Sequence, residues 1–138
     1  EYHTDKKINR SRQHYLMMNL PDTYRSLIAL GIQHDYSMGY GSVNGFRASV
    51  ARPFYWYDLQ NEKMTSLLIH PFCYMDSTAI FYERLNAEMA LERMNTFYET
   101  VKQVDGKFSY VLHNHFLAEQ PEWMMWRQLY EDFLNQHC

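Results

Sequence analysis

Helical and extended patterns alternate along this chain, and that alternation constrains the fold more than any other feature. The longest helical pattern covers residues 87–101, follows an N-cap at Asn86, and repeats its apolar residues every three or four positions. Two shorter helical patterns begin near Pro21 and Pro121. Strands that alternate with helices of this length are typical of βαβ units, so we predict an α/β fold with mainly parallel strands.

The segments between the helices include the aromatic-rich stretch of residues 46–58, and we expect about four strands and three helices in total. The extended candidates cover residues 8–18, 32–40, 46–58, 67–75 and 107–116. Four parallel strands are few for a sheet that is normally buried on both faces. We therefore expect residues 1–138 to be either a single small domain or the C-terminal portion of a larger one.

Composition excludes several classes of function. The net charge is −3 and acids and bases are well mixed, so no basic stripe is available for nucleic acid. No apolar run is long enough to span a membrane, and no signal peptide is visible. Cys73 and Cys138 are too few for a disulfide framework, and we interpret them as free thiols. We favour a cytoplasmic location slightly, with export left open because the chain begins at Glu1.

Aromatic residues are abundant, with twelve Tyr, eight Phe and three Trp in 138 residues. So short a chain cannot bury all of these rings. The surplus is consistent with a sugar-stacking cleft, a subunit interface or a surface covered by other parts of the protein. Tyr36, Tyr40 and Tyr57 are the better platform candidates because they lie at strand ends or in loops, whereas Trp123 and Trp126 fit helix packing.

Two histidines end the last predicted strand. His113 and His115 are two residues apart, so on a strand they share a face. Imidazole moves protons near neutral pH and is the commonest metal ligand, although solvated histidines at a strand end are equally ordinary. A metal site would need a third ligand, for which His14 and His70 are candidates. We interpret His70, in an apolar strand, as a hydrogen-bonded interior residue and three others as surface residues: His3, His34 and His137.

An ordered set of short motifs covers roughly residues 10–116. The set comprises Ser11-Arg12-Gln13-His14-Tyr15-Leu16, Gly31-Ile32, Asp35-Tyr36-Ser37-Met38-Gly39-Tyr40, Gly45-Phe46-Arg47-Ala48, Pro53-Phe54 with Tyr57-Asp58, Pro71-Phe72 with Met75-Asp76, and Leu112-His113-Asn114. In this order the motifs resemble the C-terminal half of bacterial polysaccharide deacetylases with nodulation-type deacetylase homology (carbohydrate esterase family four). The likeness is greatest to a branch found in bacterial polysaccharide gene clusters.

The resemblance implies a fold and an activity. Such deacetylases are distorted (β/α) barrels with their site at the strand C-termini, so it implies that this chain is a partial (β/α) barrel. They remove N-acetyl groups from amino-sugar polymers with a divalent metal, usually zinc, held by one Asp and two His of the first half. Those motifs would lie upstream of Glu1, so the resemblance assigns no metal ligand to this chain. It implies a carbohydrate substrate, and an N-terminal half or a second copy as partner.

The resemblance also implies roles for individual residues. Arg12 lies where the family has an Arg-x-Pro-Tyr motif whose arginine holds the base carboxylate, although His14 replaces the proline. Leu112-His113 matches the final Leu-x-His motif, whose histidine is the general acid toward the leaving amine. An Asp orients that histidine; Asp76 is our first choice and Asp35 our second. The expected substrate contacts are His14, Tyr15, Asp35, Tyr36, Tyr40 and His115.

Two other classes of function remain open from the sequence. The chain fits a carbohydrate-binding or interaction module that keeps the cleft and lacks the chemistry. It also fits a small metal protein built on His113 and His115. An Asp-Asp pair and an HxxxH motif upstream of Glu1 would favour the enzyme over the binding module.

Overall fold

The computed structural model describes residues 7–137. In that part of the chain, short strands alternate with three α-helices. The strands are β1 (Arg10–Ser11), β2 (His34–Asp35), β3 (Phe54–Asp58), β4 (Lys63–Ile69), β5 (Tyr74–Met75) and β6 (Tyr110–Val111). The helices are α1 (Asp22–Ala29), α2 (Ala87–Gln103) and α3 (Met124–His137). A π-helical turn covers Thr78–Tyr82, and 3₁₀ turns cover His14–Leu16, Asn114–Leu117 and Pro121–Trp123.

The strands form two sheets, which a continuous segment of chain connects. In the first sheet the order is β1-β2-β4-β3, with β1, β2 and β4 parallel and β3 antiparallel at the edge. In the second sheet β5 and β6 are parallel. Residues 70–73 lead from β4 into β5: His70 donates its amide to the Asp35 carbonyl, and Cys73 donates to the Ser109 carbonyl. The fold is therefore mixed α/β with mostly parallel strands, and the strands of residues 7–137 do not close into a barrel.

Two apolar cores fix the helices on the sheets. The first core packs α2 and α3 against β5 around Tyr74, Met94 and Phe133. The second packs α1 against β4 around Tyr24 and Leu67. Because a buried apolar face stabilises a helix more than propensity does, these cores account for the positions of all three predicted helices.

Polar contacts cap α2 and anchor α1 to the β3–β4 hairpin. The Asn86 side chain accepts a hydrogen bond from the Met89 amide at 2.9 Å, which caps α2 as predicted. Arg25 on α1 donates two hydrogen bonds of 2.8 Å to Asp58, the last residue of β3. This bidentate pair joins α1 to the hairpin and holds the pKa of the Asp58 carboxyl well below its usual range.

The β3–β4 hairpin differs from the prediction. We predicted one strand over residues 46–58, but only Phe54–Asp58 is extended, directly after Pro53. The next strand begins at Lys63, four residues earlier than predicted, because its exposed first half pairs with β3 rather than with the parallel strands. An antiparallel edge hairpin can expose polar residues on one face, so its first residues lack the apolar signal on which the prediction depended.

The remaining predicted strands are shorter than expected. The segment 67–75 divides around Pro71 into β4 and β5, and the segment 107–116 keeps only Tyr110–Val111 as strand. The segment 8–18 keeps only Arg10–Ser11, and 32–40 only His34–Asp35. Proline lacks the N–H that a ladder needs, and elsewhere the chain leaves the sheet for turns, so a single strand cannot cover these ranges.

Three predictions on histidine and cysteine can be compared with the structure. His34 and His137 were predicted at the surface, but both are half-buried and partnered: His34 Nδ1 lies 3.0 Å from His70 Nε2, and His137 Nε2 lies 2.8 Å from Asn95 Oδ1. Cys73 is a free thiol, as predicted, and is buried. His3 and Cys138 lie outside the described residues. None of the helices described is long and apolar enough to cross a lipid bilayer.

Candidate functional site

A buried carboxylate and an accessible imidazole meet at the ends of β5 and β6. Asp76 is fully buried, and its Oδ1 lies 2.5 Å from Nδ1 of His113. The His113 side chain remains 41% exposed. We call Asp76 and His113 the dyad. The structure thus brings together the two residues that the sequence analysis placed first for this pairing.

Sheet register explains why the two side chains meet. Tyr74 pairs with Tyr110 and Met75 with Val111, so the two parallel strands end at the same level. Asp76 is the first residue after β5, and His113 follows β6 by two positions. Ligand sites in parallel α/β folds lie at this carboxyl edge of the sheet.

The Asp76 carboxylate is held by three donors. Besides His113 Nδ1, Oδ1 accepts from the amide of Ser77 at 2.6 Å, and Oδ2 accepts from the amide of His113. A carboxylate accepts and cannot donate, so Nδ1 of His113 carries the hydrogen that joins the pair. The other ring nitrogen, Nε2, is left for exchange with solvent or substrate. This is the arrangement by which a carboxylate fixes the tautomer and orientation of a catalytic histidine.

A second set of contacts braces the strand that carries Asp76. Asn44 is buried, accepts from the Met75 amide at 2.7 Å, and donates through its side chain and its amide to Glu83, both at 2.9 Å. Arg93 on α2 lies 3.8 Å from the same Glu83 carboxylate. The glycine-containing loop around Asn44 is therefore tied to β5. No sequence signal marked Asn44, because its partners are distant in the chain.

Arg12 and Tyr36 meet at the ends of β1 and β2. Arg12 is exposed, and its Nε donates to the Tyr36 carbonyl at 3.2 Å. The Tyr36 ring stacks on His70, with centroids 4.3 Å apart and planes 8° apart. His70 is half-buried and bonded to a neighbour as predicted; burial first, and then the neighbouring His34, lower its pKa.

Asp35 has a structural environment that differs from the prediction. It is fully buried, and both its oxygens accept from Ser37: the amide at 2.9 Å and the hydroxyl at 2.8 Å. Burial raises the pKa of this carboxyl, although the Ser37 hydrogen bonds oppose the shift. A carboxylate so enclosed does not reach a substrate, and Asp76 rather than Asp35 contacts His113. We therefore assign Asp35 to the structure of the β2 end.

The other predicted substrate contacts lie on the surface. Tyr15 is 84% exposed and adopts a left-handed backbone with φ of 56°, and its ring lies 4.5 Å from that of His14. Left-handed backbone is uncommon for a bulky residue and costs conformational energy. Tyr40 is also exposed, in the loop after β2. These three side chains are available to a ligand, but no described contact links them to the dyad.

His115 lies close to the dyad, but not because it shares a strand face with His113, as predicted. The chain leaves β6 before His113 and enters a 3₁₀ turn at Asn114–Leu117, so strand alternation does not apply. The His115 ring nevertheless lies 5.8 Å from the His113 ring and 3.8 Å from Phe116. Within residues 7–137, no group of three or more His, Cys, Asp or Glu side chains is placed to hold a metal ion. Neither His14 nor His70 therefore completes such a group with this pair.

Comparison of the chain with protein-family models, with curated proteins and with solved structures finds no match.

Proposed function

We propose that the protein is part of a polysaccharide deacetylase-like hydrolase, in which His113 is the general acid and Asp76 orients it. The observation that carries the proposal is the dyad: a buried carboxylate bonded to Nδ1 of an imidazole that is 41% exposed. The ordered motifs that resemble this family end in the same histidine. Hydrolysis of an amide needs a proton donor for the departing nitrogen, and a histidine held in this way can supply it.

The proposed reaction is hydrolysis of the N-acetyl group of an amino sugar. The oxygen of water adds to the acetyl carbonyl carbon while a base carboxylate, which we assign to another part of the intact protein, takes a proton from that water. The C–N bond of the resulting tetrahedral species then breaks. The bonding electron pair passes to nitrogen, which takes the proton from Nε2 of His113. Acetate and a free amino sugar leave. Asp76 keeps Nδ1 as a donor throughout and stabilises the imidazolium before it gives up its proton.

The metal of the deacetylases that the chain resembles would polarise the carbonyl and the water. Within residues 7–137 the side chains do not offer a matching ligand set. Our proposal therefore gives this chain the acid, its orienting carboxylate and contacts with the sugar. It assigns metal binding to other parts of the intact protein, either an N-terminal half or a second copy.

We further propose that the parallel strands form part of an incomplete (β/α) barrel. In support, β1, β2 and β4 lie side by side in chain order, residues 70–73 lead into β5, and β6 follows as its neighbour. Helices α1 and α2 each connect one parallel strand to the next. A helix that joins two neighbouring parallel strands is the repeating unit of (β/α) barrels.

Turnover by the full-length protein tests the proposed function. Acetate release from chitotetraose would be measured for the wild type and for His113→Ala. A general acid of this kind is worth roughly 10²–10⁴ in rate, so His113→Ala should lose that much. His137→Ala is the matched control, because this histidine lies on α3 and bonds to Asn95 rather than to the dyad. Equal turnover by wild type and His113→Ala would refute the role of His113.

A further inference from the structure

A cluster of aromatic rings lies beside His113, where the chain leaves β6. The fully buried ring of Phe116 is their centre, with centroids 3.8 Å from His115, 4.8 Å from Trp123 and 6.1 Å from His113. Phe81 approaches the same ring at 5.9 Å. We call Phe81, His115 and Trp123 the aromatic wall. Every member of the wall touches the ring that also contacts the proposed general acid.

Two members of the wall are more exposed than side chains in a packing cluster usually are. Phe81 is 58% exposed, and His115 is exposed although it stacks on a buried ring. Phe81 belongs to the π-helical turn Thr78–Tyr82, which begins two residues after Asp76. Single π-helical turns are rare and occur frequently at functional sites. Exposed aromatic surface next to a cluster of polar groups favours a ligand that covers it.

A pyranose ring matches this surface in chemistry. Its axial C–H groups form apolar faces that stack on aromatic rings, while its hydroxyl groups point outward from the ring edge. The wall offers a few rings rather than the surface of about 800 Å² per partner that a stable protein interface needs. His115 also adds ring nitrogens that can hydrogen-bond a hydroxyl. The position at the carboxyl ends of parallel strands is where α/β folds bind ligands.

We propose that the aromatic wall is a sugar-binding subsite on the leaving-amine side of the scissile amide. The sugar ring stacks on Phe81 and His115, and its amino nitrogen is thereby presented to Nε2 of His113. This proposal rests on the proposed function, since it takes the amino sugar as the ligand. It makes Phe81 and His115 specificity-determining residues, and it explains why aromatic side chains follow both members of the dyad in the chain.

Binding of chitotetraose to the full-length protein tests the subsite. Affinity would be measured by calorimetry in the His113→Ala background, so that the ligand is not consumed. Aromatic stacking of this strength predicts affinity about 3- to 10-fold weaker for Phe81→Ala and for His115→Ala. Phe81→Leu keeps apolar bulk without the aromatic face and should lose nearly as much. Tyr55→Ala is the matched control, because Tyr55 is 56% exposed on the edge strand β3, and it should bind as tightly as its parent.

The outcomes separate this proposal from the proposed function. Weaker binding by the Phe81 and His115 variants but not by Tyr55→Ala supports the subsite, even where acetate release shows no deacetylation. If the wild type releases acetate but Phe81→Ala and His115→Ala bind chitotetraose as tightly as their parent, the subsite is overturned and the enzyme function stands. The subsite is also overturned if Phe81→Ala loses self-association in sedimentation while its affinity for the sugar is unchanged. That result would identify a second copy of the chain as the occupant.

Discussion

Replacement of Asp76 by Asn should destabilise the protein strongly, because the structure gives this buried carboxylate three donors and no solvent. The amide of Asn keeps the shape of the side chain but replaces one accepting oxygen with a donating NH₂. Whichever oxygen is replaced, at least one N–H of Ser77 or His113 then faces another donor. Hydrogen bonds to a charged acceptor are worth about 1.5–3 kcal/mol, and a buried donor left unpaired costs about 1–3 kcal/mol.

The expected loss for Asp76→Asn is therefore about 3–4 kcal/mol, a large part of the roughly 5–15 kcal/mol that holds a typical domain folded. His113→Ala should cost less, about 1–2 kcal/mol, because it removes one bond from a side chain that is 41% exposed and leaves both backbone donors on the carboxylate. Urea unfolding followed by circular dichroism measures both variants against the wild type. Two results would refute the reasoning: a loss below about 0.5 kcal/mol for Asp76→Asn, or a larger loss for His113→Ala than for Asp76→Asn.

Three further predictions concern the scaffold around the site. Gly39→Ala should destabilise the protein by about 1–3 kcal/mol in thermal unfolding, because an added Cβ would lie 2.2 Å from the Phe72 ring. Gly41→Ala is the control, because its Cβ would meet open space and should change the stability little. Equal losses of stability in the two variants would contradict this packing. Burial raises the pKa of the Cys73 thiol to about 12. Peptide mapping should therefore find Cys73 unlabelled by iodoacetamide in the native protein at pH 7.5 and labelled in urea. Rapid labelling of the native protein would contradict this burial. The folded-state pKa of Asp58 lies below its unfolded value of about 4, so the stabilisation from its arginine partner should be present above pH 4 and lost as the pH falls further. Urea midpoints should therefore show Asp58→Asn less stable than the wild type at pH 7 and equally stable in strong acid. A stability difference that persists in strong acid would contradict this pH dependence.

The pairing of Asp76 with His113 was predicted because the family resemblance implies an Asp that orients the histidine, and because Asp76 lies at the end of the preceding predicted strand. Each residue follows a short strand, and parallel strands that are neighbours in a βαβ unit end side by side. The N-cap of α2 at Asn86 was equally local, since it depends on a side chain and an amide three residues later. Strand ends and the helix cap could thus be predicted from local patterns, whereas the roles of Asp76 and His113 came from the resemblance.

Features that depend on distant contacts were not predicted. No local pattern pointed to Asn44, yet it bonds to Met75 and Glu83, which are 31 and 39 residues away. The β3–β4 hairpin was missed because the exposed start of β4 carries no continuous apolar run. Asp35 was predicted as a substrate contact from the family resemblance, and only the tertiary structure reveals that Ser37 and the core enclose it.

The measurement that tests the general-acid role most directly compares two leaving groups in the full-length protein. Loss of a proton donor should matter for an amide, whose amine must be protonated to depart, and far less for 4-nitrophenyl acetate, whose phenolate departs unprotonated. His113→Ala should therefore lose roughly 10²–10⁴ in the rate of chitotetraose deacetylation but less than about tenfold in the rate of ester hydrolysis. Equal losses on both substrates, or no loss on either, would contradict the assignment of His113 as the acid oriented by Asp76.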